Sequence, residues 1–209
     1  DIIYAKALMG KELDYNNVTI VNDYYFNLKK AKHPLIDREK VVPIDIELGK
    51  KAKVIIITGP NTGGKTVALK TVGLLHTMAM CGMMVPCSSD SVLSVFNEIL
   101  VDIGDEQSIA QSLSTFSAHM KKMNEILEAT TFESLILLDE LGSGTDPKEG
   151  SSLAISMINY MKSRGATIIV TTHYSDLKTY AYNTNNVLNA SVEFNSNTLM
   201  PTYRLLVGV

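Results

Sequence analysis

A glycine-rich segment at residues 59–66 is the part of the sequence best suited to chemistry. It fits the pattern G-x-x-x-x-G-K-S/T in full. Such a loop wraps a phosphate with its backbone N–H groups, and glycines permit the close approach and the unusual dihedral angles that this needs. Lys65 is expected to reach the β and γ phosphates of ATP, and the Thr66 hydroxyl to ligate Mg²⁺. The residues predicted to contact the nucleotide here are Gly59, Pro60, Asn61, Thr62, Gly63, Gly64, Lys65, Thr66 and Val67.

Two adjacent carboxylates, Asp139 and Glu140, follow the apolar run 135–138. In α/β sheets, ligands bind outside the carboxyl ends of the strands, so this pair is expected beside the phosphate loop. Asp139 is predicted to hold Mg²⁺, directly or through water, and Glu140 to orient or deprotonate the attacking water. An acidic turn at a strand end is the alternative, and the phosphate-loop pattern in the same chain favours the catalytic interpretation.

A histidine, His173, follows the next apolar run, 167–170, after two threonines. It is therefore expected at the same sheet edge, where it can hydrogen-bond the γ-phosphate or the attacking water. A lone histidine is more often structural, and placement is what favours function here. His33, His76 and His119 lack such placement, and they are interpreted as structural.

Strands and helices must alternate to position these residues. The phosphate loop and the acidic pair each follow a short apolar run, and a helical pattern comes after each of them. Such alternation predicts an α/β fold with a mostly parallel sheet and helices on both faces. The predicted strands are 44–48, 54–57, 99–103, 135–138 and 167–170; the predicted helices are 64–80, one with Ser114 as its N-cap, and one opened by Asp146-Pro147 and ended by Gly165.

The rest of the pattern is more local. Residues 1–15 indicate a helix end, and 187–206 indicate short β segments. A small antiparallel β part is expected in addition to the parallel sheet. Residues 18–21 and 24–26 flank Asn22-Asp23, which predicts a hairpin. The apolar stripes of the two later helices are predicted to be Phe116, Met120, Met123 and Leu127 in the first, and Leu153, Met157, Tyr160 and Met161 in the second.

Composition indicates one folded domain of ordinary size. The chain has 209 residues, 45% of them hydrophobic and 20% charged, with a net charge of −3. This balance excludes a disordered chain and gives no global signal for nucleic acid or membrane surfaces. The two cysteines are too few for a zinc site or disulfide framework and indicate buried thiols in a reducing cytoplasm. The chain lacks an initiator Met and a signal peptide, and both ends are expected to be cut from a longer protein.

The motifs together resemble the ATPase domain of the MutS family. The resemblance is carried, in this order, by residues 59–66, by Ser112-Leu113-Ser114-Thr115-Phe116, by the acidic segment 139–147 and by Thr171-Thr172-His173-Tyr174. The runs 105–112 and 146–150 are similar to the second bacterial branch, which is associated with recombination control and with rescue of collided ribosomes. The resemblance to the MutS ATPase domain covers about residues 17–209, while residues 1–16 resemble the end of a preceding helical lever domain.

This resemblance implies a phosphate-loop NTPase of the ABC type that works as a head-to-tail homodimer. ATP bound by one subunit would meet Ser114 of the other, so Lys65, Ser114, Glu140 and His173 form the implied catalytic set. Loop 142–146 would cross the interface, and Asn61 would lie at the γ-phosphate. Val41 or Val42 would lie against the adenine, with weaker stacking than the aromatic ring that mismatch-sensing relatives often offer.

The resemblance leaves several functional regions outside these residues. The helical clamp regions that grip nucleic acid in the family, and the nuclease-type domain at the C-terminus of the second branch, have no counterpart here. DNA or ribosomal RNA is therefore expected to bind other regions of the parent protein. The parent protein is expected in the bacterial cytoplasm, with no membrane partner. The lysine clusters at 29–32, 50–53 and 121–122 indicate solvated faces, with a nucleic-acid groove as the alternative.

Two functions remain open for the chain itself. One is an ATPase whose turnover drives a clamp on DNA or a stalled ribosome. The other is a nucleotide-gated dimerisation module with little turnover. Glu140 favours the ATPase, because a pure switch needs no water-activating carboxylate. An ABC transporter motor is disfavoured by the Ser-Thr-Phe element, and a small-molecule kinase by the lack of a visible acceptor pocket.

Overall fold

The computed structural model describes residues 1–104, 112–195 and 200–208, with the backbone alone at residues 61, 112–118 and 195. Within these ranges, five α-helices and ten β-strands follow one another along the chain. The helices are α1 (Ile2–Glu12), α2 (Lys65–Met80), α3 (Ser112–Ala129), α4 (Pro147–Ser163) and α5 (Ser175–Asn183). The strands are β1 (Thr19–Val21), β2 (Phe26–Ala31), β3 (Ile44–Leu48), β4 (Val54–Thr58), β5 (Val92–Ser94), β6 (Glu98–Asp102), β7 (Ser134–Leu138), β8 (Thr167–Thr172), β9 (Val187–Asn195) and β10 (Met200–Val207).

The larger sheet carries the predicted motifs. Its order in the described residues is β10-β9-β4-β8-β7-β6, and the strands from β9 to β6 pair in parallel. The last strand, β10, is antiparallel to β9, so the sheet is mixed. Every residue of β4, β7 and β8 is buried, as expected for largely apolar strands covered on both faces. The predicted α/β class with a largely parallel sheet is confirmed.

Side chains on the two faces of this sheet enter two separate cores. On β4, Ile55 and Ile57 pack in one cluster with residues of α2 and of the smaller sheet. Val54 and Ile56 point the other way, into a cluster built with α3, α4 and α5. This alternation follows from the two-residue period of a strand. Helices therefore cover both faces, as predicted.

The smaller sheet has the order β1-β5-β2-β3, and its first connection corrects the predicted hairpin. The strand β1 pairs in parallel with β5, which lies between β1 and β2. Tyr24 has a left-handed φ of 54°, and its backbone N–H donates to Ser94 Oγ at 2.9 Å. The Asn22-Asp23 turn therefore leads the chain past β5 instead of folding β2 back onto β1. The alternating strand β3 pairs antiparallel with β2, in the smaller sheet.

The start of α3 also differs from the prediction. This helix begins at Ser112, so the backbone of Ser114 lies within its first turn instead of at an N-cap. Of the predicted apolar stripe, Met123 is buried, and Met120 and Leu127 pack against the same core. The side chain of Phe116 and the whole run 105–111 lie outside the described residues.

The ends of α4 are as predicted. The Asp146 side chain accepts a hydrogen bond from Lys148 N at 3.0 Å, and Pro147 is the first helical residue. Gly165, with a φ of 82°, follows the last turn. One stripe residue was wrong, because Tyr160 is 47% exposed, whereas Met157 and Met161 are buried. No helix in the described ranges has the length and apolarity needed to cross a membrane.

Candidate active site

Residues 59–66 form a tight loop that joins β4 to α2. A short 3₁₀ turn, Asn61–Gly63, leads into Gly64, whose φ of 90° is left-handed, and α2 begins at the next residue. A Cβ on Gly63 would lie 2.4 Å from Val192 Cγ2, so a larger residue would disturb the neighbouring strand β9. The loop thus places a helix N-terminus at the end of a buried strand, an arrangement that favours anions.

Lys65 is buried at this loop, with 2% of its surface exposed. Its Nζ donates a hydrogen bond to the Gly59 carbonyl oxygen at 2.7 Å. Burial lowers the pKa of Lys65, while the charges of Glu140 and Asp139 act in the opposite direction and raise it. The predicted phosphate-binding cation and the two predicted carboxylates therefore lie within electrostatic reach of one another.

The Asp139 carboxylate links three segments that are distant in sequence. Its Oδ2 accepts a hydrogen bond from Thr66 Oγ1 at 2.7 Å, and its Oδ1 accepts one from the Thr171 hydroxyl. Its backbone N–H donates to the Asp102 carbonyl oxygen at 2.8 Å. The two residues predicted to ligate Mg²⁺, Thr66 and Asp139, are thus in direct contact, and Thr171 is a partner that the sequence did not reveal.

Glu140 lies where the chain leaves β7. It has a φ of 49°, an unfavourable left-handed conformation for a residue with a side chain. Its backbone N–H donates to Thr171 Oγ1 at 2.9 Å, and its carbonyl accepts from Ser143 N at 3.0 Å. These bonds hold the turn that presents two successive carboxylates at the sheet edge.

His173 follows β8 directly, as predicted, and its side chain is exposed. The preceding Thr172 pairs with Thr58 at the end of β4, so His173 emerges at the same edge as the glycine-rich loop. Its ring lies 4.3 Å from the ring of Tyr174, centroid to centroid. Tyr174 Oη in turn donates to the Gly142 carbonyl at 2.9 Å, which ties this segment to loop 142–146.

A cavity of about 330 Å³ adjoins the loop and contains the two valines predicted to meet the base. Val41 and Val42 line it together with Gly64 and Val67. The cavity also has an aromatic wall, Tyr203, whose Cδ1 lies 3.0 Å from the position a Cβ on Gly64 would take.

Tyr203 was missed by sequence reasoning. It has a φ of 60° and lies where the register of β9 and β10 shifts, between Pro201 and Leu205. The sequence pattern of the tail carries no signal for such an irregularity. His33, interpreted from the sequence as structural, also lines the cavity; burial, and secondarily the charge of Lys70, lower the pKa of its imidazole.

Two predicted site residues have side chains outside the described residues. For Asn61 and Ser114 the structure gives the backbone alone, in the loop and in the first turn of α3 respectively. Further along α3, His119 Nδ1 lies 3.1 Å from Asp102 Oδ2. This contact fixes α3 to β6, the strand next to β7, and agrees with a structural role for His119.

The oxygen ligands at this edge suit a magnesium ion. The described side chains contain no group of three or more His, Cys, Asp or Glu residues that could hold a metal by themselves. Mg²⁺ needs no such cage, because it is commonly bound by one or two carboxylates together with phosphate oxygens and water. The Thr66 hydroxyl and the Asp139 carboxylate, 2.7 Å apart, therefore fit such an ion in the presence of a nucleotide.

Comparison with known proteins gives the class to which this fold and site belong. Residues 55–208 match the family described as MutS domain V. The chain therefore belongs to the MutS family.

Individual relatives specify the branch. The chain is 56% identical over all 209 residues to the protein named Endonuclease MutS2 in Bacillus cytotoxicus, and equally to proteins of that name in Clostridium botulinum and Bacillus mycoides. The resemblance to the second bacterial branch is thus confirmed. The chain spans 27% of the length of each of these three relatives.

Proposed function

We propose that this chain is a phosphate-loop ATPase of the ABC type, which binds Mg-ATP and hydrolyses its β–γ phosphoanhydride bond. One observation carries the proposal. Oγ1 of Thr66, at the start of α2, lies 2.7 Å from Oδ2 of Asp139, directly after β7, although the two residues are 73 positions apart in sequence. Such a hydroxyl–carboxylate pair beside a glycine-rich loop matches the metal-holding part of phosphate-loop enzymes.

Each residue at the edge has a defined task in this proposal. The phosphates are bound by the buried Lys65 and by backbone N–H groups of loop 59–67, to which Pro60 contributes none. Thr66 and Asp139 would hold Mg²⁺, which when bound neutralises charge on the phosphate oxygens. Glu140 orients or deprotonates the attacking water, and His173 donates a hydrogen bond to the γ-phosphate or that water.

The cavity beside the loop is the proposed site for the adenine. Val41 and Val42 give it apolar walls, and Tyr203 offers the aromatic surface that these valines lack. Stacking on an aromatic ring contributes about 1–3 kcal/mol per base. Tyr203 therefore offsets the weak stacking expected from the valines alone.

Assembly is the second part of the proposal. Two copies would face head to tail, so that Ser114 of one copy approaches the γ-phosphate held by the other. Loop 142–146 would lie in this interface, and its anchoring by Tyr174 supports a defined shape there. Residues 17–209 would constitute the ATPase domain, and residues 1–16 the end of a preceding helical domain.

The relatives support a proposal for the role of the parent protein. The chain spans about a quarter of the length of proteins named Endonuclease MutS2, and we assign action on DNA or ribosomal RNA to other regions of the parent protein. We propose that ATP turnover drives a clamp on DNA or on a stalled ribosome in the bacterial cytoplasm.

The experiment that tests this proposal is ATP turnover measured against protein concentration. For a shared active site, turnover per molecule rises with concentration and falls strongly in Ser114→Ala. Ser156→Ala, an exposed serine on α4, is the matched control and keeps normal turnover. Turnover that is independent of concentration and of Ser114 would contradict the dimer. Binding of Mg-ATP without turnover at any concentration would favour the nucleotide-gated dimerisation module.

A further inference from the structure

One residue of β8, Thr171, holds the whole segment that carries the proposed catalytic carboxylates. Its hydroxyl donates to Asp139 Oδ1 and accepts from Glu140 N at 2.9 Å. Its carbonyl oxygen accepts from Leu141 N at 3.2 Å. A single side chain and its own backbone thus contact three successive residues, and Thr171 is fully buried, with 0% of its surface exposed.

The register of the sheet explains why a hydroxyl is needed at this point. The pairing of β7 with β8 ends at Leu138 and Val170, so Thr171 lies one step beyond the last pair. Glu140 has already left the strand conformation there, with its φ of 49°. Its N–H therefore finds the Thr171 side chain instead of a carbonyl of the ladder, which satisfies a donor that would be costly to leave unpaired.

The two carboxylate oxygens of Asp139 have different hydrogen-bond partners, and only one of these partners is a proposed metal ligand. Thr66, which donates to Oδ2, is itself a proposed metal ligand. Metal coordination by both groups would therefore replace this hydrogen bond. Thr171, which bonds Oδ1, is not a proposed ligand and can keep its bond. Hydrogen bonds of this second kind orient metal ligands and often matter nearly as much as the ligands themselves.

We infer that Thr171 is a positioning residue, which aims Oδ2 of Asp139 at Mg²⁺ and fixes the backbone of Glu140 beside it. This inference rests on the proposed function, because it presupposes that Asp139 serves a metal. It gives a role to a residue that the sequence indicated only as part of the motif 171–174.

The same strand provides a control for the hydroxyl. Thr167, at the other end of β8, is equally buried at 0% exposure, and among the described residues its Oγ1 has no hydrogen-bond partner. Replacement of Thr167 by valine therefore removes a buried hydroxyl without touching the site. Replacement of Thr171 by valine makes the same chemical change where the hydroxyl has two partners.

The test is the affinity for ATP, measured with Mg²⁺ and again with a chelator, alongside ATP turnover as a function of Mg²⁺. For Thr171→Val we expect the gain in affinity from Mg²⁺ to fall by about 10- to 100-fold, since loss of such outer bonds has this effect on metal sites. Binding without Mg²⁺ should stay at the wild-type level. Thr171→Ser, which keeps the hydroxyl, should restore the dependence on Mg²⁺, and Thr167→Val should not alter it.

Two results would overturn the inference, and they are distinguishable. If Thr171→Val responds to Mg²⁺ as the wild type does, Thr171 does not position Asp139, while the ATPase proposal stands. If the wild type itself gains no affinity from Mg²⁺, both the proposed function and the inference fall. Should the valine variant fold poorly, Thr171→Ala, which removes the hydroxyl without adding a methyl group in its place, gives the same comparison.

Discussion

Lys65 and His76 are both buried on α2, about three helical turns apart, in very different surroundings. Lys65 opens the helix, contacts the glycine-rich loop and lies within reach of two carboxylates. His76 lies between the rings of Phe26 and Phe96, at centroid distances of 4.8 and 5.5 Å. One helix therefore joins a polar edge to an aromatic interior.

The chemistry of the two groups differs accordingly. Burial is the largest influence on both pKa values and lowers each of them. For Lys65 the neighbouring carboxylates oppose this effect, whereas burial takes the pKa of His76 down to about 4. His76 bonds the Val72 carbonyl through Nδ1 at 2.8 Å, and its Nε2 has no hydrogen-bond partner among the described residues. The cation of Lys65, supported by two carboxylates, suits the proposed binding of phosphate, whereas the neutral ring of His76 suits packing against aromatic side chains.

The largest expected effect is at the polar end of the helix. In Lys65→Met, loss of the cation should reduce ATP turnover by about 100- to 1000-fold, as loss of one charge-stabilising donor commonly does. The free energy of unfolding should fall much less than activity, because the variant removes a desolvated charge but also loses the hydrogen bond to Gly59 and the attraction of Glu140 and Asp139. Steady-state kinetics and thermal unfolding measure the two quantities separately.

Lys178→Met, on the exposed surface of α5, is the control for that change. It removes a lysine without touching the loop, so turnover should remain normal. Equal losses in both lysine variants would show that net charge, and not the position of Lys65, determines activity.

The next effect concerns stability at the aromatic end. The pKa of His76 is about 4 in the folded chain and near the ordinary 6.5 when unfolded. Between these pH values the unfolded chain binds a proton that the folded chain does not, so stability falls as pH falls from 6.5 to 4. The expected loss is about 1.4 kcal/mol per pH unit, or roughly 3 kcal/mol over the window.

His76→Leu should remove this part of the pH dependence while leaving ATP turnover at neutral pH intact. Urea unfolding at several pH values measures the slope, and Met78→Leu on the same helix serves as a control that keeps it. If the slope of His76→Leu matched that of the wild type between pH 4 and 6.5, the buried histidine would not be the source of acid sensitivity.

A smaller effect is expected at the edge of the cavity. Tyr203→Ala should weaken ATP binding about tenfold through lost stacking, with little change in stability because the residue is 50% exposed. Tyr203→Phe keeps the ring and should bind normally, as should Tyr182→Ala on exposed α5. Unchanged ATP affinity in Tyr203→Ala would remove this residue from the proposed base site.

The two sheets were not equally predictable from the sequence. In the larger sheet, the runs at β4, β7 and β8 are mostly apolar, and each is followed by a glycine-rich, acidic or threonine-containing motif, so their strand conformation could be inferred. In the smaller sheet, the three-residue strand β5 gave no pattern, and without it the turn at Asn22-Asp23 suggested the wrong partner for β1. Pairing over long separations in short strands depends on tertiary contacts that local propensity does not contain.

The site divides in the same way. The placement of Lys65, Thr66, Asp139 and Glu140 at one sheet edge could be predicted, because binding of phosphate and metal would restrict their types and spacing. The positions of Thr171 and Tyr203 at the site could not be predicted, since they depend on where the pairing of β7 with β8 ends and where β10 shifts its register. Threonine and tyrosine are ordinary residues for strands, so neither stands out in the sequence.

The most direct test of the central claim compares Glu140→Gln with the wild type for Mg-ATP binding, turnover and dimerisation. We predict that the variant binds Mg-ATP with nearly normal affinity, loses at least about 100-fold in turnover, and accumulates as an ATP-bound dimer. Normal turnover in Glu140→Gln would contradict the assignment of the water-activating residue, and with it the proposed division of tasks at this edge of the sheet.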